Sequence, residues 1–271
     1  GQITVTELAV NNDLSFDLDK IRYQFEALPP DFVIISHASN VMGLIAPAED
    51  IFEMAKRYHS ITLLDMAQTA GLVDCNVGLE TVDFATFAGH KTMLGPTGIA
   101  GFVMKADFKL SPILFGGTGI ESANQDMPED VPSRFEMGTL NTVGIAGLNA
   151  ALKWILSTGM ASLFEEETKQ RQKLIELLSQ YDFIKIIGNS SNHRYVGIVS
   201  CLIDGISSDS AGELFNRLGI SVRSGLHCAP LAHRFLKTFP AGTVRFSVNT
   251  FTTNDDYKEL RNALDYIEEN L

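Results

Sequence analysis

Apolar and polar positions along this chain alternate between two periods. Short continuous apolar runs recur at Phe32-Val33-Ile34-Ile35, at Ile61-Thr62-Leu63-Leu64, at Val82-Asp83-Phe84-Ala85-Thr86-Phe87 and at Ile99-Ala100-Gly101-Phe102-Val103-Met104. Runs of this length and bulk read as strands covered on both faces of a parallel sheet. Between them the period changes. Leu18, Ile21, Phe25 and Leu28 repeat at helical spacing, Asp17 stands where a helix cap is needed, and Pro29-Pro30 stops the segment. A second helix is predicted from about Pro47 to Tyr58, and Ile3-Thr4-Val5 reads as a short leading strand. Strands alternating with helices predict an α/β architecture, with a mainly parallel sheet and helices on both faces.

The pattern then lapses. Residues 110–143 are rich in Gly, Pro and Asp and read as a long loop, which in a compact domain is functional or disordered. Helical spacing resumes over 143–157 and 160–180, with Gly159 between. A strand at 195–202 follows, then a helix at 208–218 capped by Ser208 or Asp209, strands at 221–223 and 243–248, and a closing helix opened by Asn254 or Asp255. The expected division is a large domain over 1–158 and a smaller C-terminal α/β domain over 159–271.

Composition narrows the function classes. The 271 residues carry a formal net charge of -12 with no Lys/Arg run, which argues against nucleic acid as a partner because phosphate binding needs a positive footprint. No segment approaches a membrane-spanning apolar length, and the chain does not start with a basic region followed by an apolar stretch. Three widely spaced cysteines, Cys75, Cys201 and Cys228, fit a reducing cytoplasm better than a disulfide framework.

The candidate chemistry gathers at strand ends. Lys91, in Gly89-His90-Lys91, follows the third run. It is either an exposed loop lysine or, partly desolvated in the crevice at a sheet's carboxyl edge, an amine able to attack a carbonyl. Asp65 ends the second run and Gln68 follows it. The carboxylate either caps its turn or, beside a pyridine nitrogen, keeps that nitrogen protonated. His37 and Asn40 follow the first run, Asn40 being the better ligand contact and His37 a structural histidine. Arg245 interrupts an apolar strand and needs an anion, either a carboxylate of the chain or one from a substrate. Cys228 lies in Arg223-Ser224-Gly225-Leu226-His227-Cys228-Ala229-Pro230, an irregular loop where Arg223 and His227 are expected to favour a thiolate. Cys201 reads as inert core, and Cys75 has only Asp74 beside it. Cysteine and histidine spacing offers no metal set.

Five segments in order, Ser36-His37-Ala38-Ser39-Asn40-Val41, Asp65-Met66-Ala67-Gln68, Gly89-His90-Lys91, Arg134-Phe135-Glu136-Met137-Gly138-Thr139 and Arg223-Ser224-Gly225-Leu226-His227-Cys228, resemble the class V aminotransferase family. The likeness is to its NifS/SufS-like branch of cysteine desulfurases and selenocysteine lyases. It implies the type I fold of enzymes that use pyridoxal 5'-phosphate, with Lys91 as the Schiff-base lysine, Asp65 on the pyridinium, Gln68 on the ring hydroxyl and His90 on the phosphate. It also implies that Thr139 reaches the phosphate of a neighbouring subunit's cofactor, hence a homodimer with shared sites. Asn40 and Arg245 would hold the carboxylate of a small amino acid such as L-cysteine, with Asn40 also near the cofactor and Arg223 close by. Cys228 would take the sulfur as a persulfide, releasing alanine, and a protein could accept that sulfur in turn. Ala88 stands where relatives carry a Ser or Thr that binds phosphate, and His227-Cys228-Ala229-Pro230 resembles a sub-branch of less defined substrate. Family members also carry an N-terminal portion ahead of the region matching residue 1, which supplies the rest of the phosphate loop and a ring-stacking histidine. The alternatives are another class V transferase or lyase activity, or a non-catalytic fragment.

Overall fold

A computed structural model describes residues 3–120 and 123–270. Helix α1 (Leu18–Ala27) begins where Asp17 accepts the Lys20 N–H. Strand β1 (Phe32–Ser36), helix α2 (Ala48–Lys56), β2 (Ile61–Asp65), β3 (Phe84–Ala88) and β4 (Ala100–Met104) follow. β1, β2 and β3 run parallel and β4 returns antiparallel, in the order β1-β2-β3-β4. Residues 110–141 lack helix or strand among those described, apart from a single 3-10 turn at Ser133–Phe135. Helices α3 (Thr142–Thr158) and α4 (Met160–Leu178) meet at Gly159 and lead to β5 (Ile184–Ile187) and β6 (Ile198–Ile203). Then come α5 (Ser208–Arg217), β7 (Arg223–Gly225), α6 (Pro230–Phe235), β8 (Thr243–Ser247) and α7 (Asn254–Asn270). The second sheet is wholly antiparallel, in the order β5-β6-β8-β7. No helix among the described residues is long and apolar enough to cross a membrane.

Register explains the first sheet. Ser36 pairs with Asp65, and Asp65 with Thr86, so the carboxyl ends of three strands lie level and their following loops share one edge. At the opposite edge Asp83 is buried, pairs with Lys56 and Lys105, and accepts the Thr62 N–H. Burial pushes its carboxyl up, but those partners outweigh burial and hold it below the ordinary value.

Several expectations are corrected. Ile3 and Val5 form no strand and are exposed, having no neighbouring strand to bond. β1 is covered on one face only: Val33 and Ile35 are buried against α1 and α2, whereas Phe32 and Ile34 are exposed. α5 is capped by Ser207, whose hydroxyl accepts the Ser210 N–H, rather than by Ser208 or Asp209. At α7, Thr253 and Asp256 cap each other reciprocally. β5 and α6 were not predicted. The strand expected at 195–202 begins only at Ile198, because Val196 instead bonds the loop after β1.

That loop joins the two sheets. Val196 N–H donates to the Gly43 carbonyl, and Ile45 N–H to the Arg194 carbonyl. Gly43 has φ of +75°, and a Cβ there would lie 2.8 Å from the Val196 carbonyl oxygen, so only glycine allows this approach.

The two faces of the first sheet predict different sensitivities. Leu64→Ala, at a side chain 1% exposed in the core, is expected to cost about 2–5 kcal/mol in denaturant unfolding. Ile34→Thr, on the 61% exposed face, is expected to cost under about 1 kcal/mol.

Candidate active site

Two adjoining cavities, of about 370 and 730 Å³, share four wall residues: Asn40, Gln68, Lys91 and Cys228. Each comes from a different segment. Asn40 lies in the loop after β1, Gln68 in the turns after β2, Lys91 in the turn after β3, and Cys228 between β7 and α6. The level ends of the parallel strands bring the first three together, and the second sheet delivers the fourth. Asp65 lines the larger cavity with Lys91. Arg223 and Arg245 line the smaller.

Asp65 caps its turn, its Oδ1 accepting the Ala67 N–H at 2.9 Å, and it also lines the larger cavity. Lys91 is exposed at the rim, so these residues do not supply the partial desolvation expected for it. Among the described residues it makes no ion pair. His37 is the structural histidine expected, buried with Nδ1 2.9 Å from Thr69 Oγ1. His90 and Thr139 are exposed and lie outside both cavity walls.

Arg223 and Arg245 are register partners on β7 and β8. Two like charges facing each other across strands are unfavourable, and neither forms a salt bridge among the described residues. Arg245 Nη1 donates to the Asn40 carbonyl at 2.8 Å, but its Nε is buried without a partner. Burial and then Arg223 push its pKa down from the usual value. Among the described residues the alternative of a structural carboxylate partner is not realised, and the arrangement favours an anionic ligand.

Cys228 is exposed, with Arg223 Nη2 3.2 Å from its Sγ. His227 does not add the positive charge expected of it. Its ring is buried against Thr243 Oγ1 at 2.9 Å. Burial, with Arg245, His233 and Arg223 nearby, pushes its pKa down to about 4, so it is neutral near pH 7. The segment is also more regular than expected, with Pro230 opening α6 directly after Ala229. Burial pushes the Cys201 thiol up to about 12. Burial, then Glu49 and Asp74, raises that of Cys75. Neither competes with Cys228.

Sequence reading missed Glu167. It lies on α4, is 7% exposed, and lines the smaller cavity. Its Oε1 accepts the Gly197 N–H at 2.6 Å. A Cβ at Gly197 would lie 2.8 Å from Glu167 Cγ and 2.1 Å from the Val248 carbonyl oxygen, so glycine is required there. The available signal was an acid at helical spacing between Leu163 and Leu174. Burial raises its carboxyl to about 7, despite the hydrogen bond from Gly197, which favours the charged form. With the folded pKa above the unfolded value, its contribution to stability falls as pH rises from about 4.5 to 7. Glu167→Gln is therefore expected to raise the unfolding free energy by on the order of 1–3 kcal/mol at pH 8 and by little at pH 4.5, measured by thermal and urea unfolding.

The crevice offers an amine for an aldehyde (Lys91), a carboxylate for a ring nitrogen (Asp65) and an amide for a ring hydroxyl (Gln68), all lining the larger cavity. That donor set fits the ring of pyridoxal 5'-phosphate. The phosphate end is less complete within these residues, where Ala88 brings no hydroxyl and His90 lies outside both cavity walls.

The family described as aminotransferase class-V matches residues 1–260. A probable cysteine desulfurase 2 of Mycobacterium leprae is 33% identical over 262 residues, covering 95% of this chain and 61% of the relative. A probable cysteine desulfurase of Aeropyrum pernix is 34% identical over 246 residues, covering 87% and 59%. Among solved structures, the apo cysteine desulfurase from Thermococcus onnurineus NA1 superposes with a TM-score of 0.87 at 27% identity, covering 98% of this chain and 66% of that one. The Escherichia coli cysteine desulfurase CsdA shares the fold, with a TM-score of 0.84 at 24% identity, covering 98% and 66%. The chain thus spans about three fifths of the length of the curated relatives it matches. Members of the matched family depend on pyridoxal 5'-phosphate and have the type I fold expected from the sequence. Five sequence motifs, one crevice and a match along nearly the whole length lead to one conclusion: the chain belongs to the class V aminotransferase family.

Proposed function

We infer that this chain carries the active site of a pyridoxal 5'-phosphate-dependent cysteine desulfurase. In that reaction L-cysteine and a protein thiol give L-alanine and a protein persulfide, which balances without an oxidant or reductant. The observation that carries the reading is the meeting of Lys91 and Cys228 in the walls of the same two cavities, with the paired guanidiniums of Arg223 and Arg245 beside them. The relatives described as probable cysteine desulfurases support it.

In this reading Lys91, Asp65 and Gln68 hold the ring end of the cofactor, with Asn40 alongside and His90 assigned to its phosphate. When bound, the cofactor supplies a carbonyl for imine exchange and an electron-withdrawing ring that acidifies the substrate Cα–H. The chain's own groups do the rest. Arg245, with Asn40, takes the substrate carboxylate. The Lys91 amine is the base for the α proton. The Arg223 guanidinium stabilises negative charge on Cys228 Sγ, which attacks the substrate sulfur and becomes the persulfide. Because Cys228 is exposed, an acceptor protein can reach the transferred sulfur.

The assembly proposed is a homodimer, in which Thr139 contacts the phosphate bound by the partner subunit. The stretch that carries Thr139 also exposes Ile113, Leu114, Phe115 and Val143, an apolar surface that a second subunit would cover. The proposed division at Gly159, into 1–158 and 159–271, is supported by the separation of β1–β4 and β5–β8 into two sheets. Three free cysteines fit a reducing cytoplasm.

Two substitutions test the reading, assayed with cofactor, L-cysteine and an added thiol reductant that frees the persulfide sulfur as sulfide. Cys228→Ala is expected to lower sulfide release by roughly 100-fold or more while cofactor absorbance persists. Lys91→Ala is expected to abolish both the imine absorbance and the borohydride-fixed cofactor mass. Unchanged turnover in Cys228→Ala would instead favour another class V activity. No absorbance in the wild-type chain, with the fold intact, would favour the non-catalytic reading.

A further inference from the structure

A continuous path of hydrogen bonds runs from an arginine of the crevice to the nucleophile. Arg245 Nη1 donates to the Asn40 carbonyl at 2.8 Å, and Asn40 Nδ2 donates to the His227 carbonyl at 2.5 Å. That second carbonyl belongs to the peptide joining His227 to Cys228. Among the described residues it accepts no other hydrogen bond.

The peptide needs holding. His227 and Cys228 have φ of 49° and 61°, two consecutive non-glycine residues in the left-handed region. Such a conformation persists only where its surroundings over-determine it. Three contacts do so here. The His227 ring is pinned from below by Thr243 Oγ1, Cys228 Sγ receives Arg223 Nη2, and the peptide carbonyl receives Asn40 Nδ2. Only the last ties this turn to the first sheet, where Lys91 is anchored.

We propose that Asn40 is a positioning residue for Cys228, holding the His227–Cys228 peptide so that the sulfur faces the Lys91 side of the crevice. This rests on the desulfurase reading for its catalytic meaning and adds a second role to a residue otherwise assigned to the substrate carboxylate. The amide nitrogen has two protons, one engaged by His227 and one left to face the crevice, so both roles are compatible. Arg245 acts one step further out, fixing the Asn40 backbone.

Hydrogen–deuterium exchange on the full 271-residue chain, without cofactor or cysteine, tests the structural core of the proposal. Asn40→Asp keeps the side-chain shape but removes the donor. It is expected to raise exchange roughly tenfold at the Ala229 amide, which donates to the Leu226 carbonyl at 2.8 Å across this turn, while β2 and β6 keep wild-type protection. Arg245→Lys, which keeps the charge but loses the reach to the Asn40 carbonyl, is the second variant should Asn40→Asp unfold, and is expected to loosen the same turn. Unchanged exchange there in a folded variant overturns the proposal. With cofactor and L-cysteine, Asn40→Ala is expected to lower kcat for sulfide release about tenfold with a smaller change in KM. An effect on KM alone overturns the positioning role and leaves Asn40 as a carboxylate contact. The exchange result stands whether or not the chain proves to be a desulfurase, so the two readings fail separately.

Discussion

Everything at this site depends on the level register of three parallel strands. Ser36, Asp65 and Thr86 lie side by side, so the loops after β1, β2 and β3 open onto one edge. A one-residue slip of any strand would turn its side chains to the other face and carry its loop away from the rest. The buried Asp83, held between Lys56, Lys105 and the Thr62 N–H at the far edge, helps fix that register where no functional residue needs the space. The geometry of the crevice at one end is thus supported by a buried ion pair at the other.

The second constraint is electrostatic. Placing Arg223 opposite Arg245 in adjacent strands is a cost that no carboxylate among the described residues offsets by an ion pair. It is tolerated because Arg223 lies exposed beside Cys228 and because Arg245 spends one donor on the Asn40 carbonyl. What remains is a local excess of positive charge in a protein of net charge -12. That excess favours an anionic ligand at this place. The neutral, buried His227 stays out of this balance and serves as the floor of the turn.

The junction between the sheets explains why small residues and one buried acid cluster there. Gly43 and Gly197 permit backbone approaches that any side chain would block, and Glu167 closes over Gly197 from α4. Two turns of α4 grip neighbouring peptide groups, with Glu167 accepting from Gly197 and Arg171 Nε donating to the Ile198 carbonyl at 3.3 Å. Helix α4 therefore contributes the buried Glu167 to the wall of the smaller cavity and holds the Gly197–Ile198 backbone beside it.

The local pattern in the chain was sufficient to determine the strands that carry Asp65 and Lys91, the helix capped by Asp17, the break at Gly159 and the identity of Lys91, Asp65, Gln68, Asn40, Arg245 and Cys228 as residues of interest. These follow from short-range sterics, periodicity and motif order, all properties of neighbours along the chain. Tertiary structure alone decided which face of β1 is covered, that Arg223 faces Arg245, that His227 is neutral, that Glu167 is buried, and that Asn40 reaches a carbonyl 187 residues away. Each of those is set by desolvation or by contact between distant segments. Neither has a local signature, because the energy of a buried charge or a long-range hydrogen bond depends on what the rest of the fold packs against it.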